Sequence, residues 1–358
     1  MPGHNEIVGN VNPMSSQEKA PIRKIHQDDH ELSLSFLRIL KLHSSSSNEK
    51  TFGSEWNVKG SEFDYEHQSK WYDDFRQCSF NRQSPIELNS NEAVISYDLP
   101  SLKFIHFDVP YKKAVRSENN GHTANIQLPT TRLDSAYIVG GPLQNGTTYI
   151  MESLHFHWGS IDSHGSEHVL DSERYSMEMH LLHRNIKYAT VEEAREHEDG
   201  LAVLAVLYAV NENVTEDFVG LNEVINVLES ISEFNRSTEI DNFLLSVLLG
   251  DMDVDEFYTY AGSLTTPPCS QAVTWVVFSH PITITPSQME RFRRLSDGHG
   301  ATLENNYRAL QAKGNRSVVL RQKRRVLESS VQSALYWELL NKLKPQGEPV
   351  ANDGDDGK

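Results

Sequence analysis

Between residues 56 and 320 the hydrophobic pattern breaks into short β-type runs separated by turn signals, some alternating and some almost wholly apolar. The clearest runs are 93–97, 122–127, 149–157, 176–183, 201–209 and 272–278. Clusters such as Gly140-Gly141-Pro142 and Asn145-Gly146 separate them with turn-forming residues. Two segments, 218–232 and 285–295, instead space apolar residues three and four apart and predict helices. Pro286 suits a helix start, because a first-turn proline forfeits no intrahelical hydrogen bond. The pattern predicts a predominantly β fold with peripheral helices, and it contains no internal repeat.

The ends differ in texture. Residues 1–55 mix Asn, Ser, His and charge without sustained periodicity and read as a mostly disordered N-terminal extension with one short helix near 32–42. In the C-terminal extension, 321–358, Leu327, Val331, Leu335, Leu339 and Leu343 recur every fourth residue, and Pro345 ends the stripe. That amphipathic helix has three open uses: packing back onto the main domain, self-association, or membrane contact. A polar face poor in Lys and Arg weakens the last. The preceding Arg321-Gln322-Lys323-Arg324-Arg325 reads as a solvated basic hinge, with a cleavage site as the alternative.

A chain of 358 residues with 38% hydrophobic content can bury a large core, either as one domain with tails or as two. No apolar run approaches the roughly 20 residues of a membrane span. A net charge of −17 argues against nucleic acid as a partner. Cys78 and Cys269 lie in no CxxC pair, which leaves free thiols and one long-range disulfide both open. Sequons at Asn145, Asn213, Asn235 and Asn315 point to export. The start, however, has no basic stretch followed by an apolar run and a small-residue cleavage site. Secretion is therefore set against a cytoplasmic alternative.

The chemistry concentrates in 153–159 and 177–183. On a strand, His155 and His157 share one face while Leu154 and Phe156 share the other. Glu178, His180 and Leu182 likewise share a face, so a neighbouring strand can bring His180 beside the first pair. Three neutral histidines with one open position describe a catalytic zinc site, and the absence of HExxH argues against a peptidase.

Together with Arg82-Gln83-Ser84-Pro85, Asn120-Gly121-His122, Gly165-Ser166-Glu167-His168 and Gly262-Ser263-Leu264-Thr265-Thr266-Pro267-Pro268, these segments resemble the α-class carbonic anhydrases over about residues 62–320. The resemblance implies a large central twisted, mostly antiparallel sheet in a single catalytic domain, 56–320. It also implies reversible hydration of carbon dioxide to bicarbonate and a proton, by attack of a zinc-bound hydroxide with a histidine proton shuttle. His155, His157 and His180 would hold Zn2+. Neutral ligands leave the metal's charge uncompensated, and carbonic anhydrase is itself the reference case, with a zinc-water pKa of about 7.

The remaining roles also come from the resemblance. Glu178 would accept a hydrogen bond from one ligand histidine, which one being open. Ser153 stands where many members have Gln, so one bond to His155 would pass through water or lengthen. Thr265 would accept from the hydroxide and donate to Glu167, since an ionised carboxylate only accepts, and Thr266 would contact product or an anion. His122 would shuttle the proton, its unperturbed pKa of roughly 6.5 suiting transfer both ways, with Tyr65, Asn120 and Asn125 ordering the intervening water. Val203, Leu182, Leu264, Val273 and Trp275 would form the apolar wall for carbon dioxide. Phe63 replaces a common Trp and Ala261 a common Pro. Cys78 and Cys269 match positions bridged in extracellular members, closing a loop worth about 5 kcal/mol at most. Asn315, in the family's Asn-Arg segment, is expected to be buried. The alternative function is a catalytically silent family member acting as a binding or matrix protein. Silent members typically lose a zinc ligand, and this chain keeps all three.

Overall fold

The computed structural model describes residues 63–130, 135–144 and 146–324. The N-terminal extension, the helix near 32–42, the C-terminal amphipathic helix and Asn145 lie outside the described residues. Fifteen strands are described: β1 (Glu87–Leu88), β2 (Val94–Ser96), β3 (Leu102–Ile105), β4 (Val115–Asn119), β5 (Ala124–Gln127), β6 (Tyr137–Gly140), β7 (Tyr149–Trp158), β8 (Val169–Leu170), β9 (Met177–Asn185), β10 (Leu201–Val210), β11 (Ser237–Ile240), β12 (Phe257–Gly262), β13 (Val273–Phe278), β14 (Ile282–Ile284) and β15 (Val319–Arg321). Thirteen of them form one sheet with the main path β11-β4-β5-β7-β9-β10-β13-β12-β15-β2. Its pairings are antiparallel except β10–β13, β10–β14 and β15–β2.

The sheet buries both faces, which is why β10 reads as a nearly unbroken apolar run and not as an alternation. One face carries Leu154, Phe156, Met179, Leu181, Leu204 and Val206 into a core shared with Val224, Leu228, Met289 and Phe292 of the short helices. The other carries Leu182, Val203, Ala205, Val273 and Trp275 into a second core with Tyr258 and Tyr260. Each fully buried Leu- or Phe-sized side chain contributes about 1.5–3 kcal/mol. The two cores hold β7, β9 and β10 from both sides.

The helical segments differ from expectation in continuity. The 218–232 segment is a relay of a 3-10 turn (Val219–Leu221), an α-helix (Asn222–Leu228) and another 3-10 turn (Glu229–Ile231). No side chain caps its start. Gly220 packs so closely that a Cβ there would meet the Val247 carbonyl oxygen at 2.0 Å. By contrast, Pro286–Phe292 begins with a capping box between Thr285 and Gln288. The 122–127 run is a strand only from Ala124, because the Asn120 Oδ1 accepts from the backbone N–H groups of His122 and Thr123 and turns that stretch into a loop.

Cys78 and Cys269 are bridged, with Cα atoms 4.9 Å apart and 191 residues of sequence separation, so neither is a free thiol. Asn315 corrects an expectation: it is exposed. The buried Asn and Arg near the end of the domain are Asn306 and Arg308, fully engaged in hydrogen bonds. Among the described residues no helix is long and apolar enough to cross a membrane.

Candidate metal centre

The site is a patch of the sheet lattice. His155 on β7 and His180 on β9 are Cα partners, and His157 lies opposite Glu178. With the side-chain period of two, the three imidazoles emerge on one face, and one nitrogen from each falls within 4.8 Å of the others. The His180 Nδ1 lies 3.1 Å from the His157 Nε2 and 3.3 Å from the His155 Nε2.

The outward nitrogens fix two tautomers. The His157 Nδ1 sits 2.7 Å from the Asn306 carbonyl oxygen and must donate, leaving its Nε2 as a lone pair. The His180 Nε2 sits 2.7 Å from the Glu178 Oε1 and donates likewise, leaving its Nδ1 as a lone pair. The histidine held by Glu178 is thus His180. His155 has no such support: it is half-buried, and among the described residues no hydrogen bond joins it to Ser153. Burial pushes the His155 pKa well below the usual imidazole value and lowers that of His157, so both are neutral, as metal ligation requires.

Beneath the ligands, Glu178 is saturated. Its Oε2 accepts from the Glu167 and His168 backbone N–H groups at 2.8 and 2.7 Å, and its Oε1 faces the His168 Nδ1 at 2.6 Å as well as His180. His168 and His180 hold the Glu178 carboxyl well below the usual carboxylate range against the opposing effect of burial. His168, Glu178 and His180 are also close enough to hold a cation, but this carboxylate has no free acceptor and is a hydrogen-bonding hub. The chain continues from the His168 Nε2 to the Tyr260 hydroxyl at 2.7 Å and from there to the Ser84 Oγ at 2.9 Å.

Glu167 is fully buried. Its Oε1 accepts from the Arg308 backbone N–H at 2.7 Å. Its Oε2 has no hydrogen-bond partner and faces the His157 Nε2 at 3.6 Å and the His180 Nδ1 at 4.0 Å. The expected Thr265-to-Glu167 hydrogen bond is therefore not formed: the Arg308 peptide fixes one oxygen and turns the other toward the histidines. An orphaned buried carboxylate oxygen beside three converging imidazole nitrogens, two of them fixed as lone pairs, fits a bound cation and the polar groups around it.

Thr265 is buried in a turn closed by Leu264 N–H to Ser270 O and Cys269 N–H to Thr266 O, with Thr266 half-buried beside it. Leu182, Val203, Leu264, Val273 and Trp275 lie beside one another. Val203 is the Cα partner of Leu182 on one side and Trp275 on the other, Val273 is buried one step along, and Leu264 packs on the same core. The Trp275 ring lies 4.8 Å from that of His180. Toward the entrance, His122 stacks on Phe63, with centroids 4.1 Å apart and planes 11° from parallel, and Tyr65 stands edge-on at 6.4 Å. Asn120 spends its Oδ1 on the loop, whereas Asn125 is buried on the ligand face opposite His155.

The model of the eukaryotic-type carbonic anhydrase family matches residues 66–322. The chain belongs to this carbonic anhydrase family. It is 34% identical over 268 residues to carbonic anhydrase 6 of Mus musculus, covering 74% of this chain and 80% of that protein. It is 33% identical over 282 residues to the carbonic anhydrase-related proteins of Homo sapiens and Rattus norvegicus, covering 75% of this chain and 93% of each.

Sequence reasoning missed several residues that surround the three histidines in this member of the carbonic anhydrase family. Asn306 backs His157 through a main-chain carbonyl, which leaves no signature in the sequence. Its side chain accepts from the Trp158 N–H and donates to the His122 and Phe156 carbonyls. Tyr260 and Arg308 act from strands and loops distant in sequence. His168 was within reach, since it follows Glu167 directly and its imidazole suits a buried hydrogen-bond chain.

Proposed function

We propose that the protein binds one zinc ion through His155, His157 and His180 and catalyses reversible hydration of carbon dioxide. The observation that carries this is the convergence of one nitrogen from each of three imidazoles beside the orphaned Glu167 Oε2. The three histidines would hold zinc, which when bound would supply an acidified water as nucleophile at neutral pH. Glu178 and the Asn306 carbonyl hold two ligands in the correct tautomer. The free Glu167 oxygen is the acceptor toward which Thr265 directs its hydroxyl proton in the working enzyme, so that Thr265 accepts from the nucleophile, and Thr266 contacts the product. Val203, Leu182, Leu264, Val273 and Trp275 give uncharged carbon dioxide an apolar surface. His122 carries the proton outward over water ordered by Tyr65, Asn120 and Asn125.

The alternative, a silent binding or matrix protein, has in its favour the similarity to proteins named carbonic anhydrase-related; the complete ligand set weighs against it. The disulfide and the exposed Asn213, Asn235 and Asn315 support secretion. The domain proposed over 56–320 carries extensions at 1–55 and 321–358, the latter open to self-association through its amphipathic stripe. Zinc content with stopped-flow carbon dioxide hydration, with and without a sulfonamide, tests the reading. One zinc per chain and inhibitable turnover are expected; a folded protein that takes up zinc stoichiometrically yet shows no hydration establishes the silent reading.

A further inference from the structure

Extending the row that contains His155 and His180 outward across the sheet brings Asn125 opposite His155 and then Glu118 opposite Asn125. All four side chains share one face, because directly paired residues of neighbouring strands point the same way. On β4 the alternation puts Val115 in the apolar core of the other face, while Arg116 and Glu118 take the ligand face. Strands about 4.8 Å apart place the Glu118 backbone about 10 Å from that of His155.

Glu118 is an unusual residue for this place. It is buried, with 11% of its side-chain surface exposed, and a buried charge is tolerated only when it is paired. Its two oxygens are divided between two donors. The Oε2 accepts from the Arg116 Nε at 3.1 Å and the Oε1 from the Asn125 Nδ2 at 3.3 Å. Arg116 is half-exposed and anchors the carboxylate from the solvent side. An amide can present either its NH2 or its carbonyl oxygen in a given direction. A carboxylate beside Asn125 decides the matter, since it accepts only the NH2. The Asn125 Oδ1 is thereby left as the acceptor on the side of the amide away from Glu118.

We infer that Glu118 is a positioning residue that sets the orientation of the Asn125 amide and, through it, the ordering of water on the proton path. This rests on the proposed hydration activity, in which Asn125 is one of the groups lining that path. Water held by an acceptor at that point orients its hydrogens toward the protein and its lone pairs toward the next donor along the file. An amide free to flip presents a mixture of both orders. Chemistry at the metal does not pass through Glu118, so its loss acts on proton export alone.

The test is Glu118→Leu beside Glu118→Gln, measured by carbon dioxide hydration at low and high buffer concentration. A parallel NMR measurement follows the Asn125 side-chain amide resonances in the metal-free protein. In Glu118→Leu, kcat at low buffer falls about fivefold, the scale of one lost orienting hydrogen bond. The ratio kcat/KM holds, high buffer restores kcat, and the two Asn125 NH2 resonances move together. Glu118→Gln keeps an acceptor for the Asn125 amide and recovers most of kcat. Equal losses in kcat and kcat/KM that buffer does not restore, or unmoved Asn125 resonances, overturn the inference. A wild-type protein without hydration activity overturns the proposed function instead, and the Asn125 resonances then judge the positioning separately.

Discussion

His180 and His155 face each other across one ladder rung, yet their surroundings are opposite. His180 is buried, backed by a saturated carboxylate and flanked by the Trp275 ring. His155 is half-buried and has Ser153 two residues before it, with no bond between them. The two share a ladder rung and differ in burial and in what stands behind the ring. The sheet supplies position, and orientation is a separate property that each ligand acquires from its own partner. In this molecule the interior ligands have it and the outer one does not.

Removing the best-backed support gives the largest effect. Glu178→Ala weakens zinc affinity by about 10- to 100-fold, the usual cost of losing a hydrogen-bond partner of a metal-bound histidine. Competition with a chromophoric chelator measures it; unchanged affinity would show that the lattice alone orients His180.

His183 offers an internal contrast, a histidine of the same strand buried without a ligand role. It is fully buried, its Nδ1 donates to the Leu181 carbonyl at 2.9 Å, and its Nε2 has no partner. Burial pushes its pKa down to about 3. The unfolded chain takes up this proton below about pH 6.5 while the folded chain does not, so stability is lost as pH falls from that value toward the folded pKa. The contribution is about 1.4 kcal/mol per pH unit at full slope. Urea unfolding of the metal-free protein at pH 7 and pH 5 reads it, and His183→Leu is expected to flatten the profile by that amount. A variant with the wild-type slope would mean that His183 is not buried neutral.

The smallest effect comes from adding support. Ser153→Gln supplies a side chain long enough to reach the unsupported ring and tightens zinc binding about fivefold, the scale of one hydrogen bond. If the same competition assay shows no gain, the difference between His155 and His180 has no energetic weight.

The parts of this site that were legible in the sequence are those that depend on alternation. His155, His157, Glu178 and His180 occupy every second position of two strands, so their shared face follows from the period alone. Reading short β-type runs between turn signals located six of the strands to within a few residues. It failed where the backbone itself is the chemical group, as with the Asn306 carbonyl behind His157 and the Arg308 N–H on Glu167. It also failed where a side chain folds back on its own loop, as Asn120 does in front of His122. Which Glu167 oxygen stays open to Thr265 was equally out of reach, since the Arg308 peptide, a backbone group, decides it by taking the other. Asn315 was assigned to a buried Asn-Arg segment through the family resemblance; burial belongs to Asn306 and Arg308, whose partners lie 141 to 230 positions away in sequence.

The pairing of β7 with β9 has a consequence for how such a protein changes over time. The ligand spacing is set by main-chain hydrogen bonds, which do not depend on which side chains flank them. Positions that neither back a ligand nor fill a core can therefore be exchanged while the metal-binding geometry stays constant. A slip of β9 by a single residue would do the reverse: it would carry His180 to the apolar face and bring Met179 or Leu181 into its place. The site can absorb many substitutions but not one insertion.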